Sequence, residues 1–312
     1  MARDPADPRA ALDPAGLSGL DIASATSRLA AAFARAGIAD GARDARILIA
    51  ATLGIAPARL LIEPERTLSD ADASRLAAFA NRRCGREPVS RILGWREFYG
   101  RRFAITRATL DPRPDSETLI DTALGIVRAR GWTSKPLTIL DIGTGSGCLL
   151  ATLLAELPRA HGVGVDIDPA AITVARANAA TLGISCRARW IRGDGAAALS
   201  GPFDLIVANP PYIARAVIES LDAEVRDFDP PAALDGGADG LAFYRAWGRE
   251  LPRLANRGSA ILFEIGHDQA EAVSAILSTT LAPGAPHHVR VAPDLGTRPR
   301  CVVIEAQRSS CR

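Results

Sequence analysis

Between residues 137 and 305 the chain repeats one alternation: a short apolar run that stops at an acid, an amide or a glycine, then a longer stretch with helical period. Residues 137–142, 162–166, 188–191, 203–208 and 259–264 read as strands, with the β-branched Ile206 and Val207 marking the fourth as a buried one. Residues 148–156, 168–182 and 240–255 read as the helices between them. Strands that are apolar along most of their length belong to a sheet covered on both faces, and helices placed between strands make that sheet parallel. Two last runs, 289–292 and 301–305, flank the Pro293–Arg300 stretch and predict a closing hairpin. The pattern is α/β, a doubly wound, mostly parallel, seven-stranded sheet.

The residues before it follow a different period. From 17 to 81 the chain reads as a small helical domain, with Leu29, Phe33 and Ala36 on one face and Ala45, Leu48, Ile49 and Leu53 on another. Gly37 and Gly54 punctuate the helix ends, and Ser69-Asp-Ala-Asp72 opens a further helix with acids in its first turn. Residues 1–16, rich in Pro, Ala and Asp, are expected to be a disordered tail. Residues 82–110 form a connector in which 95–103 turns back around Gly100 as a hairpin, and 111–312 is the α/β domain. A helix from Glu117 to about Arg130 opens that domain, capped by Asp115 or Ser116.

Candidate chemistry gathers at the carboxyl ends of the strands, where open α/β sheets bind ligands. The run Phe203-Asp-Leu-Ile-Val-Ala-Asn-Pro-Pro-Tyr212 stops at an amide. Pro210 and Pro211 fix φ, remove two backbone donors and hold Asn209 out of helical geometry. A planar NH2 group is a poor nucleophile because its lone pair is delocalised. The Asn209 side-chain oxygen and the Pro210 carbonyl can accept its two N–H groups, and Tyr212 can cover its face. Such a grip works by positioning and charge placement more than by proton abstraction. Asn209, Pro210 and Tyr212 are therefore the catalytic candidates, and Asn209 to Tyr212, Pro211 included, the substrate slot.

The run 137–142 leads into Gly143-Thr-Gly-Ser-Gly147, and the next strand ends at Asp166, 19 residues after Gly147. Glycines let a ligand approach the backbone closely, and an acid at that distance suits a ribose diol. A dinucleotide fits less well than S-adenosylmethionine. The spacing is G-x-G-x-G, not the G-x-G-x-x-G that tucks a pyrophosphate onto the helix start, and Asp141 before the glycines suits a cationic or amino-bearing ligand. The cofactor set is Gly143, Thr144, Gly145, Ser146, Gly147, Asp166, Asp194, Gly195 and Asn209, with Asp194 placed to reach an adenine amino group.

Composition narrows the alternatives. The net charge is +2, from 37 basic and 35 acidic residues, which gives no bulk support for a nucleic-acid binder. Seven arginines between 82 and 102 face only Glu87 and Glu97 and read first as a solvated face, second as a surface for an acidic or RNA-bearing partner. Cys84, Cys148, Cys186, Cys301 and Cys311 fit neither a disulfide framework nor a zinc spacing, so no metal is expected. Without an apolar leader or an 18-residue apolar run, a cytoplasmic protein without membrane contact is the expectation, and a monomer.

Gly143–Gly147, Asp166 and Asn209-Pro-Pro-Tyr212 resemble the class I methyltransferases that modify planar amino groups. Arg86-Glu-Pro-Val-Ser-Arg-Ile-Leu-Gly-Trp-Arg-Glu-Phe-Tyr99, Pro112-Arg-Pro-Asp-Ser-Glu117, Val225-Arg-Asp-Phe-Asp-Pro-Pro-Ala-Ala-Leu234 and Gly236-Gly-Ala-Asp-Gly240 are similar to the HemK-type peptide chain release factor glutamine N5-methyltransferases. The resemblance covers about 82–306 and, more weakly, the helical domain. It implies methyl transfer from S-adenosylmethionine to the glutamine side-chain amide in the Gly-Gly-Gln motif of class I release factors, supporting translation termination, with the helical domain docking the factor. Glutamine methylation of a large-subunit ribosomal protein uses the same chemistry. N6-adenine or N2-guanine methylation of nucleic acid would use the same grip, against the charge balance. A nicotinamide-dependent oxidoreductase is opposed by the glycine spacing, and a binding module that has lost activity by the intact Asn209 and Asp166. One departure stands out: where many members carry an aromatic residue that packs on adenine, this chain has Gly195.

Overall fold

The computed structural model describes residues 12–197, 199–280 and 287–306. The chain divides into two compact units, one of residues up to Gly94 together with Ala223–Phe228, the other of Trp95–Asp222 and the residues from Asp229 onward. Of the expected 1–16 tail, residues 1–11 lie outside the described residues, while Pro14–Gly16 form a 3-10 turn capped by Asp13.

The first unit is helical: α1 (Ile22–Arg35), α2 (Gly41–Leu53), α3 (Arg59–Ile62), α4 (Asp70–Cys84) and α5 (Val89–Leu93). Its core is the stripe that the helical period selects, with Leu29, Phe33, Leu48, Ile49 and Leu76 fully buried. Gly41 opens α2 where α1 passes close by, and a Cβ there would stand 2.9 Å from the Cβ of Phe33. A capping box starts α4, Ser69 accepting from the Asp72 N–H while Asp72 accepts from the Ser69 N–H. The arginine run departs from a solvated face. Arg83 and Arg91 are buried. Arg83 spans Asp44 at 2.7 Å and Glu224 at 3.1 Å, and Arg86 reaches the same Glu224 at 2.6 Å. Those pairs fasten α9 (Ala223–Arg226) to the helical unit.

The second unit opens with the expected hairpin, β1 (Trp95–Phe98) against β2 (Arg101–Ala104), and α6 (Glu117–Ala129). Then follow β3 (Thr138–Ile142), α7 (Cys148–Glu156), β4 (His161–Asp166), α8 (Pro169–Thr181), β5 (Ala188–Arg192) and β6 (Phe203–Ala208). After α9 come α10 (Ala242–Gly248), α11 (Leu251–Leu254), β7 (Ala255–Glu264), α12 (Ala270–Thr280), β8 (His287–Pro293) and β9 (Pro299–Ala306). The strands form one seven-stranded sheet in the order β5-β4-β3-β6-β7-β9-β8, parallel except for β9, which runs antiparallel to both its neighbours. Each face carries its own apolar cluster, one around Leu150, Leu205 and Leu262, the other around Ile206, Tyr244 and Phe263.

Two local expectations give way. The single helix over 240–255 is two short ones, because Pro252 has no N–H to continue the ladder and sits in the first turn of α11. Ser116 precedes α6 but makes no capping bond; its hydroxyl accepts from Asn209 instead. Strand order reverses between β3 and β6, the switch point at which α/β sheets open a crevice. Ile142 and Ala208 are paired there, so the glycine turn and Asn209 leave the sheet side by side.

Candidate active site

The glycine turn is built to bring bare backbone to a ligand. Gly143, Gly145 and Gly147 have φ of 73°, 55° and 78°, a region costly for other residues. The N–H groups of Gly143 and Thr144 both donate to the Val165 carbonyl, at 2.9 Å each, which ties the turn to β4. Thr144 and Ser146 face inward, 4% and 3% exposed. Thr144 donates to Asp141 at 2.5 Å, and the Ser146 carbonyl accepts from Asn178 at 2.9 Å. These two residues brace the turn from below while its backbone offers the ligand face.

Asp141 itself is fully buried under the turn. Burial pushes its carboxyl up to about 7, against the Thr144 hydrogen bond, and its Oδ1 has no hydrogen-bond partner. Its place is support, not the exposed partner for an amino group that the sequence suggests. Asp166 is half-buried at the end of β4, where Oδ2 accepts from the Gly145 N–H at 2.8 Å and Oδ1 from the Asp168 N–H at 3.0 Å. Burial raises its carboxyl above the usual range and these backbone donors oppose the rise. Each oxygen keeps a second lone pair for a diol. Asp194, just beyond β5, is exposed.

Gly195 has an aromatic neighbour of its own. A Cβ on it would stand 2.8 Å from the indole of Trp247, and one on Gly143 would stand 2.9 Å from the far edge of the same ring. Trp247, from α10, is 7% exposed and packs edge-on to Phe243 at 5.2 Å between centroids. Glycine at 195 makes room for the Trp247 indole. A bare-backbone turn, an acid at the next strand end and an indole beside Gly195 suit a nucleoside cofactor.

Asn209 is half-buried and Pro210 buried. The Asn209 Nδ2 donates to Ser116 Oγ at 3.3 Å. One residue past the Ala208–Phe263 pair, β7 ends at Glu264, 1% exposed, whose carboxyl burial pushes up to about 7 against the opposing influence of Ser116, Arg300 and Asn209. Burial also lifts the Tyr212 hydroxyl to about 12, with the Glu264 charge adding to it. The Tyr212 carbonyl accepts from Gln269 at 2.9 Å. A Cβ on Gly240 would stand 2.4 Å from that carbonyl, and one on Gly236 2.9 Å from the Pro211 carbonyl, so the Gly236–Gly240 loop lies directly on the Pro-Pro-Tyr turn.

The structure therefore brings Gly143–Gly147, Asp166, Gly195 and Asn209–Tyr212 to one edge of the sheet. The sequence reading missed Glu264, Ser116 as an amide partner and Trp247. Glu264 carried a signal, an acid closing an apolar strand as Asp141 and Asp166 nearly do. Trp247 carried none, since only the tertiary fold sets it beside Gly195. No group of side chains able to hold a metal, and no helix long and apolar enough to cross a membrane, occurs among the described residues.

Residues 24–94 match the family described as PrmC N-terminal domain, and 129–224 the family described as Methyltransferase small domain. A relative from Bradyrhizobium diazoefficiens named "Release factor glutamine methyltransferase" is 46% identical, over 84% of this chain and 88% of its own length. Relatives of the same name from Cereibacter sphaeroides and Moorella thermoacetica are 44% and 37% identical, each over 90% of this chain and 95% of theirs. Among solved structures, the hMettl16 catalytic domain in complex with the MAT2A 3'UTR hairpin 6 shares the fold at a TM-score of 0.52 and 14% identity, over 66% of this chain and 76% of that one. Identity of this extent, across both units and nearly the full length of the relatives, shows that the chain belongs to the release factor glutamine methyltransferases.

Proposed function

We propose that the protein transfers the methyl group of S-adenosylmethionine to the side-chain amide nitrogen of the glutamine in the Gly-Gly-Gln motif of a class I peptide chain release factor, in the cytoplasm, in support of translation termination. When bound, the cofactor supplies a sulfonium methyl group as electrophile. The backbone of Gly143–Gly147, with Asp166, Asp194 and Gly195, would hold it beside Asn209, with Trp247 as the wall on the Gly195 side.

The observation that carries the reading is the orientation of Asn209. Its NH2 group is engaged by Ser116 at 3.3 Å, which leaves Oδ1, an acceptor, for the substrate. Oδ1 and the Pro210 carbonyl take the two N–H groups of a carboxamide, aim its nitrogen and favour pyramidalisation as the new bond forms. Tyr212 closes the slot over the planar group. The helical unit that matches the PrmC N-terminal domain is the docking surface for the factor. Incubation with labelled S-adenosylmethionine and purified release factor, ribosomal proteins or nucleic acid tests this. Label on the release factor alone supports it; label only on ribosomal protein or nucleic acid refutes it.

A further inference from the structure

Glu264 has no part in the mechanism above, yet it is the most enclosed acid beside Asn209. It closes β7 where β6 closes at Asn209, and it is 1% exposed with its Oε2 lacking a hydrogen-bond partner. A buried carboxylate oxygen left without a partner is a net cost to the fold. A glutamine or methionine of the same length would fill that space with less cost, so packing does not account for the acid.

We infer that Glu264, with Ser116 beside it, is a positioning residue that sets the Asn209 amide with its NH2 inward and its Oδ1 toward the substrate. The inference rests on the proposed transfer to a carboxamide. An ionised carboxylate has only acceptors, so the group facing it must be a donor. Ser116 offers one hydroxyl that accepts from Asn209 Nδ2 at 3.3 Å and keeps its own proton for Glu264. A flipped amide would turn Oδ1 to the carboxylate and present NH2 to the substrate NH2, donor against donor. A glutamine at 264 carries both donor and acceptor, and a protonated Glu264 is itself a donor. Either change removes the bias.

Of the other ionisable and charged groups in this part of the molecule, Asp141 is also raised to about 7, but it lies under the glycine turn and is the same in wild type and in a Glu264 variant, so it cancels when the two are compared. Arg300, from β9, makes ion pairs with Asp115 at 3.0 Å and Asp294 at 3.3 Å, and its guanidinium is pushed upward, so it stays cationic. Burial lifts Tyr212 and Cys148 to about 12 and holds Tyr244 and Cys301 neutral as well. Asp115 is the ion-pair partner of Arg300, and its charge adds to the rise at Glu264.

The test uses the full chain, release factor and labelled S-adenosylmethionine. Glu264→Gln is expected to lower kcat about 30-fold, in the range that misplacing a reacting group costs, with cofactor affinity by calorimetry within about twofold of wild type. Wild-type kcat is expected to fall more steeply below about pH 7 than that of the Gln variant, which keeps only the share due to Asp141. Ser116→Ala is expected to lower kcat about fivefold, with recovery in Ser116→Thr, and it serves if the Gln variant does not fold. A Gln variant with wild-type kcat, or with an acid limb as deep as that of wild type, overturns the inference, as does Ser116→Ala with wild-type kcat. A wild-type chain that labels no release factor overturns the proposed function and this inference together, which is distinct from wild-type transfer with an indifferent Gln variant.

Discussion

Glu264 also predicts a stability curve that can be measured without substrate. Its carboxyl ionises at 4.5 in an unfolded chain and at about 7 in the fold, because burial penalises the charge. Between those values the folded protein holds a proton that the unfolded chain has released. The contribution of Glu264 is thus fully present below pH 4.5 and is lost as pH rises through about 7. A difference of about 2.5 pH units, at about 1.4 kcal/mol each, makes the loss about 3 kcal/mol. Glu264→Gln has no proton to lose there. Asp141, raised in the same direction, is common to both proteins and cancels in the comparison. The unfolding free energy of the Gln variant, from urea titrations at several pH values, is therefore expected to gain on wild type by about 3 kcal/mol between pH 4.5 and 7.5, and to be parallel outside that window. Curves parallel throughout would mean that the carboxyl is not desolvated in the fold, and the reasoning about its orienting role would lose its premise.

Asn209→Ala should abolish turnover by a factor of about 10²–10³ while calorimetry finds cofactor binding nearly unchanged; equal loss of both would make Asn209 a cofactor residue. A release factor whose loop glutamine is changed to glutamate should be labelled about 10⁴-fold less, since an ionised carboxylate brings acceptors to two acceptors; comparable label on both factors refutes the two-acceptor grip. Gly195→Ala should cost about 2 kcal/mol, from φ of 54° and a Cβ 2.8 Å from Trp247, read as a melting temperature about 5 °C lower; an unchanged melt refutes the close approach of Trp247. Arg83→Met leaves Asp44 and Glu224 without their buried partner and should cost about 2–3 kcal/mol, with faster trypsin cleavage at Arg226; unchanged cleavage would show that α9 does not depend on these pairs.

The sheet was legible because its signal is local. Apolar runs ending at Ile142, Asp166 and Ala208 appear as strands of five or six residues, and the G-x-G-x-G turn follows the first of them. Asn209-Pro-Pro-Tyr212 was legible for the same reason, since two prolines constrain the backbone wherever they stand. Whatever depended on a neighbour distant in sequence was hidden. Ser116 reads as a cap because capping is the local use of a serine; the amide that takes its hydroxyl is 93 residues away. Gly195 reads as a missing aromatic until Trp247 is found against it. Arg83 reads as a surface charge until Asp44 and Glu224, one of them 141 residues on, enclose it. The Gly236–Gly240 loop carried no reason in the sequence for its glycines; the carbonyls of Pro211 and Tyr212 supply one.

The acids at the strand ends share a physical situation that bears on how the site is maintained. Asp141, Asp166 and Glu264 stand at or near the ends of β3, β4 and β7, and burial raises all three carboxyls. Each is held by donors that work against that rise: Thr144 for the first, the Gly145 and Asp168 N–H groups for the second, Ser116 and Asn209 for the third. Every one of them costs the fold free energy at neutral pH that a neutral side chain would not. The cost falls on one edge of the sheet, while the two apolar clusters on its faces hold fully buried Leu150, Leu205, Ile206, Leu262 and Phe263 with no charge among those side chains. A protein whose acids were distributed for stability would show the opposite placement, with carboxylates on exposed helix faces and neutral residues closing the strands. These three acids stand where Asn209 and the glycine turn emerge, a place that fits service to a ligand or to its positioning better than service to stability, and their cost is tolerated because the sheet beneath them is covered on both faces.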